Sequence, residues 1–475
     1  MEKKYFDFAI LGGGPGGYVA AIRAAKSGKS VALIESKELG GTCLNRGCIP
    51  TKAHVANTDV LRKVKKAEAF GISTQSVTFE YPKMKQRVDK VVSSIVKGLS
   101  GLIEANKITV FKGKGKCVSP NEIKVLGETT TLIEAKVLIL ATGSEPKNVP
   151  AFPFDHNQIL CSTSILKKET LPKSLVIIGG GVIGCEFASL YHELGVEITV
   201  LEALPSLIPM EANDLGSALK GSFEKRGIKV HTGIKVQAIK TNKKGVEVQL
   251  LEGSPLKAEW ALVAVGRQLN TVDIGLEHTG ISLLPNGVVN VNSHMQTDIP
   301  HIYAIGDITA KWMLAHVASH QGVVAAEHAL GRENAKMHYN AIPSIIFTYP
   351  EIASVGLSLE QAQAQGYEAS LGKFPFQALG IAQAKIETEG FAQVVVDSKT
   401  RQILGAQIFG PEAASCIAEL TTAIQNELTL DCIKETVHAH PTLPESWLEA
   451  AFLADDMPIH LPPSTRKRKE KVGAK

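Results

Sequence analysis

One glycine pattern occurs twice in this chain, each time inside a strand–helix–strand unit, and no other feature restricts the fold as much. The first copy, Gly12-Gly13-Gly14-Pro15-Gly16-Gly17, satisfies G-x-G-x-x-G. It joins Phe6 to Leu11, an apolar run that reads as a buried strand, to Tyr18 to Lys26, an alanine-rich stretch that reads as a helix; Val31 to Glu35 reads as the next strand. The second copy, Gly179-Gly180-Gly181-Val182-Ile183-Gly184, lies between Leu175 to Ile178 and the helical stretch Val182 to Tyr191, with Glu197 to Glu202 as the following strand. Gly12 and Gly179 make the turn, Gly14 and Gly181 admit a pyrophosphate, and Gly17 and Gly184 let helix and strand pack closely. The phosphate then sits at the helix N-terminus, beside Val182 and Ile183 in the second copy. Glu35 and Glu202 each close the next strand 23 residues after the first glycine, where a carboxylate accepts from ribose hydroxyls. Glycine turns alone are common, but with this context each copy is expected to bind a dinucleotide. Glu202 would repel a 2′-phosphate, and Ala203 to Met210 contains no arginine to bind one, so the second site is expected to take NAD rather than NADP.

At 475 residues the chain is too long for one hydrophobic core. Its 42 glycines and few aromatic residues suit an α/β nucleotide-binding architecture with many tight turns. Another apolar strand, Val137 to Leu140, ends in Ala141-Thr142-Gly143-Ser144, and the proline-containing stretch Pro146 to Pro153 marks a boundary. Further boundaries are expected near Gly266 to Asn270, after the strand Trp260 to Val265, and near Ala341 to Pro343. Strand Ile302 to Ile305 closes at Gly306-Asp307, and alternating segments such as Phe391 to Val396 and Ile403 to Phe409 predict an antiparallel sheet with helices. The net charge of +4 is misleading, because Arg466, Lys467, Arg468, Lys469, Lys471 and Lys475 crowd the last ten residues against the single acid Glu470. The body is therefore close to neutral, which argues against nucleic acid as a partner, and the tail reads as a solvated, disordered end. No stretch of eighteen apolar residues occurs and the first residues lack signal-peptide features, so no membrane association and a cytoplasmic location are expected.

In a reducing compartment, closely spaced cysteines bind metal or do redox work. Cys43 and Cys48 form the one close pair; Cys117, Cys161, Cys185, Cys416 and Cys432 are dispersed singles that offer a metal no second pair, so no metal is expected. On a regular helix five residues of rise would separate the pair by about 7.5 Å along the axis, beyond the roughly 7 Å limit for a disulfide. A bonded pair therefore requires a distorted helix start, which Gly41 and Gly47 permit. Among fourteen histidines, His440 stands out. It precedes Pro441 and so belongs on a loop, and Glu445, five residues on, is placed to fix its tautomer and raise its basicity.

Gly40-Gly41-Thr42-Cys43 through Cys48-Ile49-Pro50-Thr51-Lys52 resembles the redox-disulfide signature of the pyridine nucleotide-disulfide oxidoreductases. The resemblance runs from about Tyr5 to Leu453 and takes in Ala141-Thr142-Gly143, Val265-Gly266-Arg267, Ala304-Ile305-Gly306-Asp307 and His438-Ala439-His440-Pro441-Thr442. It implies an α/β fold with two Rossmann-like domains, one for FAD over residues 1–146 and one for NAD over 147–270. A central domain over 271–341 completes the FAD site, and a C-terminal α+β dimerisation domain over 342–460 precedes the basic tail at 461–475. The FAD set would be Gly12, Gly14, Gly17, Glu35, Gly41, Thr42, Lys52, Gly115, Thr142, Gly143, Asp307 on the ribityl chain, and Ala315 in the Met313–His316 stretch that covers the ring. The NAD set would be Gly179, Gly181, Val182, Ile183, Gly184, Glu186 (which would also pair with Lys52), Glu202, Val236 and Gly266.

The catalytic set implied is Cys43, Cys48, His440 and Glu445, the last two supplied by the other subunit of a homodimer. Within the family the chain is most similar to the branch that oxidises protein-bound dihydrolipoamide and reduces NAD, serving lipoyl domains on the core of 2-oxo acid dehydrogenase complexes or a lipoylated glycine cleavage protein. Relatives acting on glutathione, trypanothione or mercury typically take NADPH, and the mercury enzymes need a late cysteine pair, whereas the last cysteine here is Cys432. A flavoprotein scaffold without activity would not need Cys43, Cys48, His440 and Glu445 together. Arg46, where an apolar residue is frequent, and Pro444, where serine is frequent, depart from the pattern without removing a reacting group.

Overall fold

Parallel strands covered on both faces need nearly continuous apolar runs, and Phe8-Ala9-Ile10-Leu11 and Val31-Ala32-Leu33-Ile34-Glu35 are such runs, buried at every position. In the computed structural model, which describes residues 2–462, they pair in parallel with Phe8 opposite Val31 and Leu11 opposite Ile34. The basic tail therefore falls, from residue 463 on, outside the described residues. The chain divides into two compact units, one of Met1–Leu171 with Val265–His338 and one of Pro172–Ala264 with Tyr339 onward.

The first unit contains β1 (Glu2–Leu11), α1 (Pro15–Lys26), β2 (Val31–Glu35), α2 (Gly41–Arg46) and α3 (Cys48–Lys65). Strand β1 is longer than its apolar stretch, because Glu2 to Tyr5 are held in the ladder by Thr131 to Glu134 of strand Thr130–Leu140. Helix α1 begins at Pro15 rather than Tyr18: proline at a first helical position loses no hydrogen bond and is preset in φ. The sheet runs Thr109–Lys112, β2, β1, Thr130–Leu140, Glu122–Leu126, Lys114–Ser119. Ile302–Ala304 adds in parallel to Thr130–Leu140, so a segment more than 160 residues away in sequence enters the same sheet. Helix Ala315–Ala329 lies against α1, and a Cβ on Gly322 would sit 2.4 Å from the Gly16 carbonyl oxygen.

In the second unit Lys229–Thr232, Glu197–Glu202, Ser174–Ile178 and Trp260–Val263 stand side by side and parallel; the last ends two residues earlier than its apolar run suggested. Val236–Asn242, Gly245–Leu250 and Leu256–Ala258 form a small antiparallel sheet. The C-terminal part is a five-stranded antiparallel sheet in the order Ser344–Ile346, Glu351–Gly356, Ile403–Gly410, Phe391–Asp397, Ala369–Pro375. Helices Ala413–Gln425 and Glu445–Ala454 share its core, in which Phe374, Ile408, Leu420 and Trp447 are fully enclosed. Among the described residues no helix is long and apolar enough to cross a membrane.

Candidate functional site

The two glycine turns are built alike. A Cβ on Gly17 would lie 1.8 Å from the Gly12 carbonyl oxygen, and one on Gly184 would lie 1.9 Å from that of Gly179, so only glycine lets each helix approach its strand. A Cβ on Gly14 or Gly181 would meet no protein atom within 4 Å. These open positions precede the first turn of a helix whose N–H groups have no intrahelical partner. Glu35 takes the Gly13 N–H on Oε2 and the Lys37 N–H on Oε1, both at 2.7 Å. Glu202 takes the Gly180 N–H at 2.6 Å and the Leu204 N–H at 2.7 Å in the same way. Each carboxylate is thus clamped by backbone while a second lone pair on each oxygen stays available to a diol. The cradles fit two dinucleotides in shape and in donor set. Gly115 contributes differently: its Cβ position is filled by Leu11 and Ile34, so it can offer a ligand only backbone. Val236, itself half-buried, opens a mostly exposed strand of the second unit.

Within the first unit, strand ends and turns converge on Asp307. Ser144 Oγ donates to Asp307 Oδ2, and Arg267 reaches Ser144 through Nε (2.6 Å to Oγ) and Nη2 (2.7 Å to the carbonyl oxygen). Arg267 Nε is 3.7 Å from Asp307 Oδ2. Thr142 and Asn270 exchange two hydrogen bonds of 2.7 and 2.9 Å, holding Gly143 and the strand after Gly266 together. Gln321, fully buried, accepts the Gly306 N–H at 2.7 Å, and Ala315 is the first residue of the helix that carries Gln321. Gln321 was not named from the sequence; Ser144, Arg267 and Asn270 were visible there only as parts of a strand end, a landmark and a boundary.

Cys43 and Cys48 lie on either side of a helix break. Gly40 and Gly41 have positive φ and admit the chain into α2, and Gly47, at φ −145° and ψ −107°, ends α2 before α3 starts at Cys48. The helical path is interrupted between the cysteines, the kind of break that a bonded pair requires. Asn45 Nδ2 holds α2 by donating to the carbonyls of Leu39 and Gly41, both at 2.9 Å, and Thr51 Oγ1 donates to the Gly47 carbonyl at 2.7 Å. No disulfide joins the two thiols in this structure. Their mutual hydrogen bond raises the Cys43 pKa far above the ordinary thiol value, burial adds to this, and the positive charge of Lys52 opposes it. Burial, with a smaller electrostatic influence of Cys43, raises the phenol pKa of Tyr18, which the sequence did not single out. Arg46 turns away to Glu38, at 2.6 Å, and lines a cleft of about 750 Å³ with Lys37, Glu145 and Lys168.

In the second unit, His440 Nδ1 stands 2.7 Å from Glu445 Oε1, and Glu445 Oε2 accepts the Thr442 N–H at 2.6 Å. Since a carboxylate only accepts, Nδ1 carries the hydrogen and Nε2 is left for a substrate. The His440 side chain is 77% exposed. Glu445 is the first residue of the helix Glu445–Ala454, and Pro444 fits at its start because no helical N–H is lost there. Glu186, buried, accepts the Phe347 N–H at 3.0 Å.

Comparison with known proteins matches residues 6–322 to the family described as Pyridine nucleotide-disulphide oxidoreductase, and residues 342–451 to its dimerisation domain. The chain is 52% identical over 460 residues to a dihydrolipoyl dehydrogenase of Chlamydia pneumoniae, covering 97% of this chain and 99% of that one. With one from Bacillus subtilis it shares 39% identity over 96% and 99% of the two chains. Among solved structures, LpdA of Mycobacterium tuberculosis superposes with a TM-score of 0.89 at 29% identity, covering 95% and 99%. The HOCl-induced flavoprotein disulfide reductase RclA of Escherichia coli superposes at 0.86 and 26%, covering 95% and 99%.

Proposed function

From the premise that the chain belongs to the pyridine nucleotide-disulphide oxidoreductases, we propose that it oxidises dihydrolipoamide to lipoamide at Cys43 and Cys48 while NAD is reduced. It is an enzyme that uses FAD and NAD, in keeping with its curated dihydrolipoyl dehydrogenase relatives. Gly12, Gly14, Gly17, Glu35, Lys52 and Asp307 would hold FAD, and Gly179, Gly181, Gly184 and Glu202 would hold NAD. When bound, FAD supplies two-electron chemistry that joins thiol oxidation to hydride transfer.

In the oxidised enzyme Cys43 and Cys48 are disulfide-bonded. The partner subunit's His440 accepts a proton on Nε2 from one substrate thiol, since the thiolate is the attacking form. That thiolate attacks Cys43 Sγ; a mixed disulfide forms, and Cys48 leaves as thiolate. The second substrate thiol attacks the substrate sulfur in the mixed disulfide while its proton passes to Cys43, so the Cys43–substrate S–S bond breaks, the lipoyl ring closes and Cys43 leaves as a thiol. In the reduced pair, the hydrogen bond to Cys48 and burial keep a proton on Cys43. Glu445 holds the imidazole in the tautomer with Nε2 open and stabilises the imidazolium after proton transfer.

The C-terminal domain makes the molecule a homodimer, and an exposed, carboxylate-oriented His440 suits a base offered to a neighbouring subunit. Lipoyl domains on the core of a 2-oxo acid dehydrogenase complex, or a lipoylated glycine cleavage protein, would carry the substrate. We place the protein in the cytoplasm on the same reading; none of the five remaining cysteines forms a disulfide. The observation that carries the proposal is the thiol contact across the Gly47 break. NAD reduction by dihydrolipoamide, measured beside NADPH oxidation by glutathione disulfide, tests it: activity confined to the first assay is expected, and activity confined to the second overturns it.

A further inference from the structure

Two residues before His440 stands a second histidine–carboxylate pair, to which no role in the chemistry has been given. His438 Nε2 is 2.9 Å from Glu419 Oε1, and His438 Nδ1 is 2.9 Å from the Thr436 carbonyl oxygen. Its side chain is 5% exposed, against 77% for His440. The Thr436 carbonyl can only accept, so Nδ1 donates to it. Nε2 then meets the carboxylate across a shared proton, because two bare lone pairs at that separation would repel. The result is a hydrogen bond whose imidazole is nearly enclosed and whose carboxylate is partly exposed.

The local backbone explains why such a contact is useful. Residues 437–441 have no regular secondary structure, and Val437 is 94% exposed, so packing does little to hold the segment that leads to His440. Helix Ala413–Gln425, by contrast, is buried along Cys416, Ile417 and Leu420 in the core of the C-terminal sheet. Glu419 projects from this helix one turn beyond Cys416, whose carbonyl accepts the Trp447 Nε1–H at 3.0 Å. Trp447 lies two residues after Glu445, in the same helix. Helix Ala413–Gln425 therefore grips both partners of the His440–Glu445 pair: the imidazole's segment through His438, and the carboxylate's helix through Trp447.

We propose that Glu419 and His438 are positioning residues that hold the His440 imidazole in register with Glu445 and so with the incoming dithiol. This rests on the reading of His440 as the base. A misplacement of about 1 Å in such a group costs up to 10²-fold in rate. One of two anchors is lost here, so about a tenfold loss is expected.

The flavin-loaded dimer is assayed in two ways, by dihydrolipoamide-dependent NAD reduction and by NADH-dependent ferricyanide reduction, which needs no thiol base. Glu419→Ala lowers the first about tenfold in kcat and leaves the second within about twofold. Glu419→Gln, whose amide can donate to or accept from Nε2, restores the first. In a His440→Gln background, Glu419→Ala has no further effect, because the residue it serves is gone. His438→Gln repeats the loss independently should Glu419→Ala fold poorly. The proposal is overturned if Glu419→Ala keeps full dihydrolipoamide turnover while His440→Gln loses it, if its cost persists on top of His440→Gln, or if both assays fall in parallel. Full turnover by His440→Gln alone would instead remove the reading of His440 as the base, and this proposal with it.

Discussion

The two kinds of glycine in each dinucleotide turn should respond oppositely to a single methyl group. In Gly184→Ala the added Cβ starts 1.9 Å from the Gly179 carbonyl oxygen, where ordinary contact begins at 3.4 Å. The helix Val182–Glu193 must then back away from its strand by more than an ångström, or the turn must distort. Overpacking of this kind costs about 1–3 kcal/mol. At roughly 2–4 °C per kcal/mol for a domain of 150–250 residues, the melting temperature should fall by about 2–12 °C. In Gly181→Ala the new methyl meets no protein atom within 4 Å, and the backbone at φ −75°, ψ −174° is open to alanine. Restricting the unfolded chain should even add about 0.4–1 kcal/mol of stability. The same methyl stands where the pyrophosphate is expected, and losing about 1.4–2.8 kcal/mol of binding would raise the KM for NAD about ten- to hundredfold. Thermal melts and NAD titrations at saturating dihydrolipoamide separate the effects. A Gly181→Ala enzyme that melts as early as Gly184→Ala, or binds NAD normally, would refute the assignment of the open position to a ligand.

His440→Gln should lower dihydrolipoamide turnover about 10²- to 10⁴-fold, the usual worth of a general base, while ferricyanide reduction by NADH persists; stopped-flow of the thiol half-reaction checks this. Cys43→Ser and Cys48→Ser should each abolish thiol-dependent turnover yet yield yellow protein, as read by flavin absorbance after purification. His54 gives the fold a calculable acid sensitivity. Burial, helped by the positive charge of Lys85, pushes its pKa down to about 4 from 6.5, and its Nε2 is enclosed without a hydrogen-bond partner. Above pH 6.5 neither state binds the proton and there is no cost. Below it the unfolded chain binds a proton that the folded one refuses, so stability drops by about 1.4 kcal/mol per pH unit, to a total of about 3 kcal/mol near pH 4. His54→Leu should remove about 2 kcal/mol of the stability difference between pH 7 and pH 5 in denaturant titrations; an unchanged difference would discount the buried histidine.

Much of the candidate site could be read in the chain because its signals are short-range. The glycine spacing, the carboxylate that ends the next strand and the break needed between Cys43 and Cys48 each follow from a few neighbouring residues. Element limits were less legible. Glu2 to Tyr5 carry no strand pattern of their own and are extended only because Thr131 to Glu134 pair with them. The helix after the first turn starts at Pro15 because a proline and two glycines, poor formers within a helix, are tolerated at its opening.

What the sequence by itself determined is the set of candidate reacting and cradle residues, since apolar periodicity, turn chemistry and motif spacing are properties of contiguous chain. Only the tertiary structure decided how those residues are held. Ser144 reaches Asp307 across 163 residues, and Arg267 reaches Ser144 across 123. Glu419 meets His438 because Leu443 and Trp447, which follow the irregular segment, pack into the same core as helix Ala413–Gln425. Such contacts arise where separate elements bury their apolar faces together, and a polar group shut in by that burial must find its partner in whatever part of the chain the packing brings near.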